Sequence, residues 1–260
     1  MKIVAIANQK GGVGKTTTAI NLSVGLSELG KRVLVIDLDP QANLTMGLGV
    51  DYPDELDYTI ANVMLSKEKI KKQDYVKKYD KLDFIPASIE LVELEDKLGT
   101  AIGRESYLAD FLSEFKEDYD YCIIDCLPSL NILTVNALCA SDEVIIPVQS
   151  QYFSVKGLEL LLNTIATIKA KINKDLQIAG VLFTMLDGRS TFQKSAAEIV
   201  KVKYGELLNV FETYIPPSVK VSDNQSKGLP IVTEKGNKAG DAYMNLAKEY
   251  LKKEIYSGLI

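Results

Sequence analysis

The amino-acid sequence predicts an α/β protein, a three-layer α/β/α sandwich around a mainly parallel central sheet, arranged as one domain over residues 1–260. Three observations predict it. Short apolar runs alternate along the chain with longer stretches of helical periodicity, a pattern that implies parallel strands joined by right-handed crossovers. The apolar runs are nearly continuous, as in strands covered on both faces. A glycine-rich turn separates the first run from the first helix, and ligands in such sheets sit at the carboxyl ends of strands.

Taken in order, Lys2-Ile3-Val4-Ala5-Ile6-Ala7-Asn8 reads as the first strand. A helical pattern follows from Lys15 to Leu29, with Ile20, Val24 and Leu26 among its apolar positions and Gly30 at its end. Arg32–Asp37 is the second strand. The polar segment after it mixes loop with short helices, up to a short strand at Leu82-Asp83-Phe84-Ile85-Pro86. Tyr121–Asp125, Glu143–Val148 and Ile178–Thr184 are further strands. Helices are expected over 154–171, 191–203 and about 238–254. The chemistry is therefore expected just after residues 8, 37 and 125.

Composition removes whole classes of function. Histidine is absent, which excludes every Ser-His-Asp, Cys-His and His-metal mechanism. Cys122, Cys126 and Cys139 are an odd set without a secretory signal, as in a reducing compartment. Cysteine and histidine alone cannot complete a four-ligand zinc site here, and the thiols read as small buried apolar groups. No apolar run approaches the ~18–20 residues of a membrane span. Met1-Lys2-Ile3-Val4 leads straight into structure, so no targeting peptide is expected; with the unpaired thiols, a cytoplasmic location is the expectation. The net charge is −5, but residues 51–120 hold 18 acidic against 10 basic residues, leaving the remainder at +3. An acidic total therefore does not exclude a basic face.

The strongest motif is Lys10-Gly11-Gly12-Val13-Gly14-Lys15-Thr16-Thr17, between the first strand and the first helix. Glycines let the backbone curl so that consecutive N–H groups face one anion, and the helix turns its positive end to the same spot. In that arrangement Lys15 reaches the β- and γ-phosphates and Thr16 gives its hydroxyl to Mg²⁺. The generic phosphate loop would have glycine at position 9. This chain has Gln9, and a lysine at position 10. Asp37-Leu38-Asp39-Pro40-Gln41 follows the second strand and Asp125 ends the third strong one. Carboxylates at such strand ends can hold Mg²⁺ directly or through water.

The pattern KGGVGKT with its early lysine resembles the deviant Walker A ATPases, which include ParA/Soj partition ATPases, MinD and the nitrogenase iron protein. The resemblance implies an ATP-hydrolysing enzyme that uses Mg²⁺. It implies that Lys10 reaches across a dimer interface to the other subunit's nucleotide, and that Asp39 positions the attacking water. It assigns Asp125 to the Walker B role toward the metal, with Asp37 supporting the metal shell. The family's usual Pro-Pro after that acid is Leu127-Pro128 here. Ile215-Pro216-Pro217-Ser218-Val219 resembles the family's adenine segment, which makes Pro216 and Ser218 the base contacts. Ser218 stands where asparagine is usual.

Within that group, Asn8-Gln9-Lys10, Asp39-Pro40-Gln41-Ala42-Asn43-Leu44-Thr45 and Asp187-Gly188-Arg189-Ser190 look like the short, Soj-type form without a helix-turn-helix extension. The resemblance implies a homodimer in the ATP state that binds double-stranded DNA without sequence preference. It also implies a ParB-type centromere-binding partner that stimulates hydrolysis, a nucleoid association and no membrane. Arg189 and Lys220 match the DNA-contacting positions best, with Lys194 and Lys227 after them. The alternative is a MinD-like membrane-associated ATPase. Its mark would be an amphipathic C-terminal stretch, and Leu246, Tyr250, Leu251, Ile255 and Leu259 do fall at roughly helical spacing. That stretch is not basic enough for a membrane-surface helix, so the stripe is expected to pack on the sheet.

Overall fold

The computed structural model describes residues 1–66, 68–149, 155–186, 202 and 208–257. Among these, seven strands form one sheet: β1 (Lys2–Ile6), β2 (Val33–Asp37), β3 (Lys77–Tyr79), β4 (Leu82–Ile85), β5 (Tyr121–Asp125), β6 (Glu143–Gln149) and β7 (Gln177–Thr184). Their spatial order is β3-β4-β2-β5-β1-β6-β7. Every neighbouring pair is parallel except β3 with β4. The helices are α1 (Lys15–Glu28), α2 (Asn43–Gly47), α3 (Ile60–Leu65), α4 (Lys72–Tyr75), α5 (Leu91–Thr100), α6 (Tyr107–Ser113), α7 (Ile132–Ala140), α8 (Val155–Lys171), α9 (Val219–Gln225) and α10 (Lys238–Ser257).

The strand period of two divides the core into two layers. Val4 and Ile6 of β1, Val33 and Val35 of β2 and Ile123 of β5 pack with Ile20, Leu22 and Leu26 of α1 and Tyr243, Leu246 and Tyr250 of α10. The alternate residues Ile3, Ala5, Leu34, Ile36, Cys122 and Ile124 pack with leucines and isoleucines of α5, α6, α7 and α8. The sheet is thus covered on both faces, as the continuous apolar runs require, and the three-layer sandwich is the observed fold.

Three details refine the sequence reading. β1 ends at Ile6 because the Asn8 amide turns aside and donates to the Pro147 carbonyl at 2.7 Å. The edge strand β3 was not anticipated. It pairs antiparallel with β4, and its Lys77-Lys78-Tyr79 carries the charged side chains that protect a sheet edge. In the C-terminal stripe, Leu246 and Tyr250 are buried and Leu251 packs against the same core. The Tyr250 hydroxyl donates to Glu143 at 2.6 Å. The stripe as far as Leu251 therefore belongs to the sheet. The side chains of Ile255 and Leu259 and the helix expected over 191–203 lie outside the described residues, apart from Val202.

Candidate functional site

The loop between β1 and α1 lies at the carboxyl ends of the parallel strands, and β1 stands between β5 and β6 there. Gly12 and Gly14 have φ of 72° and 83°. These left-handed conformations suit glycine, and they curl the backbone into a cradle ahead of the helix. Gly14 is the N-cap of α1 and its carbonyl accepts the first helical bond, from Thr18 N–H at 2.9 Å. The loop is tied down from two sides. Asn8 Oδ1 accepts from the Lys10 N–H at 3.0 Å, and Thr184 Oγ1 at the end of β7 donates to the Val13 carbonyl at 2.8 Å. Gly11 and Gly12 are exposed, and Val13 is buried beneath them. Lys10 itself is exposed at the rim.

Lys15 is only 7% exposed, and its Nζ donates to the Lys10 carbonyl at 3.0 Å. Burial lowers its pKa, while Asp125, Cys126 and Asp39 favour the charged form. Parallel registry places Asp37 of β2 directly beside Asp125 of β5, which in turn is level with Ile6 of β1. Both carboxylates are completely buried. They differ in their partners. Asp37 Oδ1 accepts from Asp39 N–H at 3.1 Å, and its Oδ2 accepts from the N–H and hydroxyl of Thr45 at 2.9 and 2.8 Å. Burial nonetheless pushes its pKa up to about 6. Among the described residues neither oxygen of Asp125 has a hydrogen-bond partner. Burial and then the neighbouring Asp37 raise its pKa well above the ordinary value. The adjacent Thr16 hydroxyl and Lys15 oppose this, although the hydroxyl does not reach bonding geometry.

A buried carboxylate with two unpaired oxygens is costly unless a cation or donor meets it. Asp125 and Thr16 therefore fit a divalent cation shared with a phosphate tail. Among the described residues no three acidic or thiol side chains converge as an all-protein cage. That is the donor set of Mg²⁺, which keeps water and substrate oxygens in its shell. The hydrogen bonds of Asp37 go to Asp39 and Thr45, so it fixes the segment that carries Asp39. Asp39 is nearly buried, and its Oδ1 accepts from Gln41 N–H at 2.9 Å.

A cavity of about 340 Å³ adjoins the loop, lined by Gly14, Thr17, Thr184, Met185, Ile215, Pro216, Ser218, Ser222, Gln225 and Tyr243 among others. It brings Pro216 and Ser218 to the start of α1, although they lie about two hundred residues away in sequence. Sequence reasoning missed Thr184 and Gln225, because single polar residues so far along the chain carry no local signal, and it gave Thr45 no role of its own although it quoted the segment that holds it. Of the basic candidates, Lys220 and Lys227 lie on α9 and on the turn that follows it, both exposed. Lys220 is ion-paired with Glu234, which also accepts from Asn224 Nδ2 at 3.1 Å. Arg189 and Lys194 lie outside the described residues. Cys122 and Cys126 are free and buried, with thiol pKa values raised by burial. No described helix is long and apolar enough to cross a membrane.

A parallel sheet with a lysine-bearing glycine loop ahead of α1, and carboxylates on the adjoining strand ends, defines a P-loop nucleotide-binding domain. Comparison with known proteins sharpens this. Residues 1–178 match the family described as AAA domain. The chain is 43% identical to the sporulation initiation inhibitor protein Soj of Bacillus subtilis over 95% of this chain and 97% of that protein. It is 39% identical to the chromosome partitioning protein ParA of Caulobacter vibrioides, over 98% and 95%. Among solved structures, cobyrinic acid a,c-diamide synthase from Mycobacterium smegmatis with bound ATP analog and magnesium superposes with a TM-score of 0.84. It shares 34% identity over 95% of this chain and 93% of that one. The chain belongs to the ParA/Soj family of partitioning ATPases.

Proposed function

We propose that the protein is an ATP-dependent DNA-segregation switch. The observation that carries this reading is Asp125, buried and unpaired beside Lys15 and Thr16 at the mouth of the phosphate loop. The name of the Caulobacter relative at 39% identity points to partitioning, and the magnesium and ATP analog of the structural neighbour support the cofactor assignment.

On this reading the N–H groups of residues 10–17 and the Lys15 ammonium hold the triphosphate, and Pro216 and Ser218 flank the adenine. Thr16 and Asp125, with Asp37 supporting the shell, would hold Mg²⁺, which would supply positive charge to the triphosphate. Asp39 orients a water for attack on the γ-phosphorus, and the bond to the ADP oxygen breaks as the new P–O bond forms. Positioning and charge neutralisation suffice for this transfer, so the lack of histidine is no obstacle. Lys10 of each copy reaches the other's nucleotide, which makes closure of the homodimer conditional on phosphate charge. The closed dimer binds double-stranded DNA through Arg189 and Lys220, with Lys194 and Lys227. Phosphate contacts of this kind give affinity without base readout. A ParB-type partner stimulates hydrolysis and so releases the DNA. The protein is cytoplasmic and nucleoid-associated.

Co-sedimentation with plasmid DNA and with anionic vesicles, each in ATP and in ADP, tests the reading. DNA retention in ATP alone, without vesicle binding, is expected. ATP-dependent vesicle binding without DNA retention would replace it with the MinD-like alternative.

A further inference from the structure

Gln225, at the end of α9, reaches into the nucleotide site from a distant part of the chain. Its Oε1 accepts from the Thr17 hydroxyl at 3.4 Å. Its side chain runs past Gly47 at the end of α2. A Cβ added there would stand 3.1 Å from Gln225 Cγ and 2.6 Å from Ile20 Cδ1, so the missing side chain at residue 47 is what admits Gln225. Gln225 also stands between two hollows. One is the base-side cavity; the other is an open groove of about 510 Å³ lined by Asn43, Met46, Asp51 and Ser222. Its Nε2 makes no hydrogen bond among the described residues.

The chemistry of the pair is specific. A hydroxyl has one proton to give and can accept from another donor at the same time. Here the Thr17 proton goes to Gln225, at a distance long for a hydroxyl bond and therefore weakly held. A nucleotide phosphate at the loop would take that proton instead. The Gln225 amide can then turn end for end, so that an Nε2–H donates to the Thr17 oxygen. A carboxamide can serve the hydroxyl in both states. A carboxylate can serve only the empty one, and a thioether neither.

Resting on the nucleotide reading above, we propose that Gln225 is a positioning residue of the phosphate site. It acts through Thr17, accepting from its hydroxyl when the site is empty and donating to it when a phosphate is bound. Because α9 begins beside Ser218 at the base end, one helix then sets both ends of the site.

The test measures equilibrium binding of a fluorescent, non-hydrolysable ATP analogue with Mg²⁺ at pH 8 to the full chain, beside the thermal midpoint of each nucleotide-free protein. Gln225→Met keeps the length and the Gly47 contact but removes both polar ends. It is expected to weaken binding about fivefold with the nucleotide-free midpoint unchanged. Gln225→Glu keeps the acceptor and loses the donor, and is expected to weaken binding about 20-fold or more. Gly47→Ala, which displaces Gln225 from the other side, is expected to add little to the binding loss of Gln225→Met when the two are combined. Binding by Gln225→Met within twofold of wild type overturns the inference, whatever Gln225→Glu does, since the glutamate alone would report only charge repulsion. Wild-type protein that fails to bind the analogue would instead remove the nucleotide reading and this inference with it.

Discussion

Replacing Asp125 with asparagine should make the nucleotide-free protein more stable while abolishing hydrolysis. The carboxylate is completely buried and neither oxygen is hydrogen-bonded among the described residues. Its charge is opposed by burial and by Asp37, and only partly favoured by Thr16 and Lys15. Asparagine has the same shape and is still polar but lacks the charge, and relief of an unpaired buried charge of this kind amounts to about 2 kcal/mol. For a chain of this size that corresponds to a rise of roughly 4–8 °C in thermal midpoint. The pH dependence fixes the sign. Between the ordinary carboxylate value of 3.8 and the raised native value, the folded state holds more protons than the unfolded state, so wild-type stability falls as pH rises. The variant lacks this titration. Its advantage therefore grows as pH rises and shrinks toward pH 4, while Asp37, raised to about 6, titrates in both proteins. Scanning calorimetry across that range, without nucleotide, measures it. A variant less stable than wild type at pH 8 would refute the reasoning, because it would mean that Asp125 is satisfied in the empty protein.

Thr45→Val should destabilise the protein by about 2–3 kcal/mol in denaturant titration. It removes the hydroxyl that donates to Asp37 at 2.8 Å and accepts from the Ala87 N–H at 2.9 Å, leaving two buried groups short of a partner. A loss under about 1 kcal/mol would show that the Asp37 network does not depend on it. Lys15→Ala should lose nucleotide binding by at least about a hundredfold in calorimetric titration, since it deletes a desolvated cation from the phosphate site. Asp39→Ala should accumulate an ATP-loaded dimer that still binds DNA; a variant that stays monomeric in ATP would take Asp39 out of the hydrolytic step. Arg189→Ala with Lys220→Ala should flatten the salt dependence of DNA binding and lose retention while keeping the dimer. Unchanged retention in co-sedimentation would remove both residues from the DNA face.

The strands that carry the site were legible because they are buried on both faces. β2 and β5 are apolar from their first residue up to Asp37 and Asp125, as in strands covered on both faces. The phosphate loop was legible because its demands are local: positive φ at Gly12 and Gly14 and a helix start at Lys15. β3 was not, because a three-residue edge strand with lysines has no apolar period. Thr184 and Gln225 escaped for another reason. They meet the loop only through tertiary packing, across 171 and 208 residues of chain. Asp37 shows the limit most clearly. Its place at the strand end was readable, but its commitment to Thr45 and Asp39 depends on how α2 folds back over it.

On the proposed reading, a triphosphate joins two copies of this chain because each lends Lys10 to the other. Multi-angle light scattering of wild type and Lys10→Ala, with and without a non-hydrolysable ATP analogue and Mg²⁺, tests it most directly. The mass of wild type is expected to double only with the analogue, and Lys10→Ala is expected to bind the analogue but stay at the single-chain mass. A wild-type mass that is the same in both conditions, or a Lys10→Ala variant that doubles as readily as wild type, would contradict it.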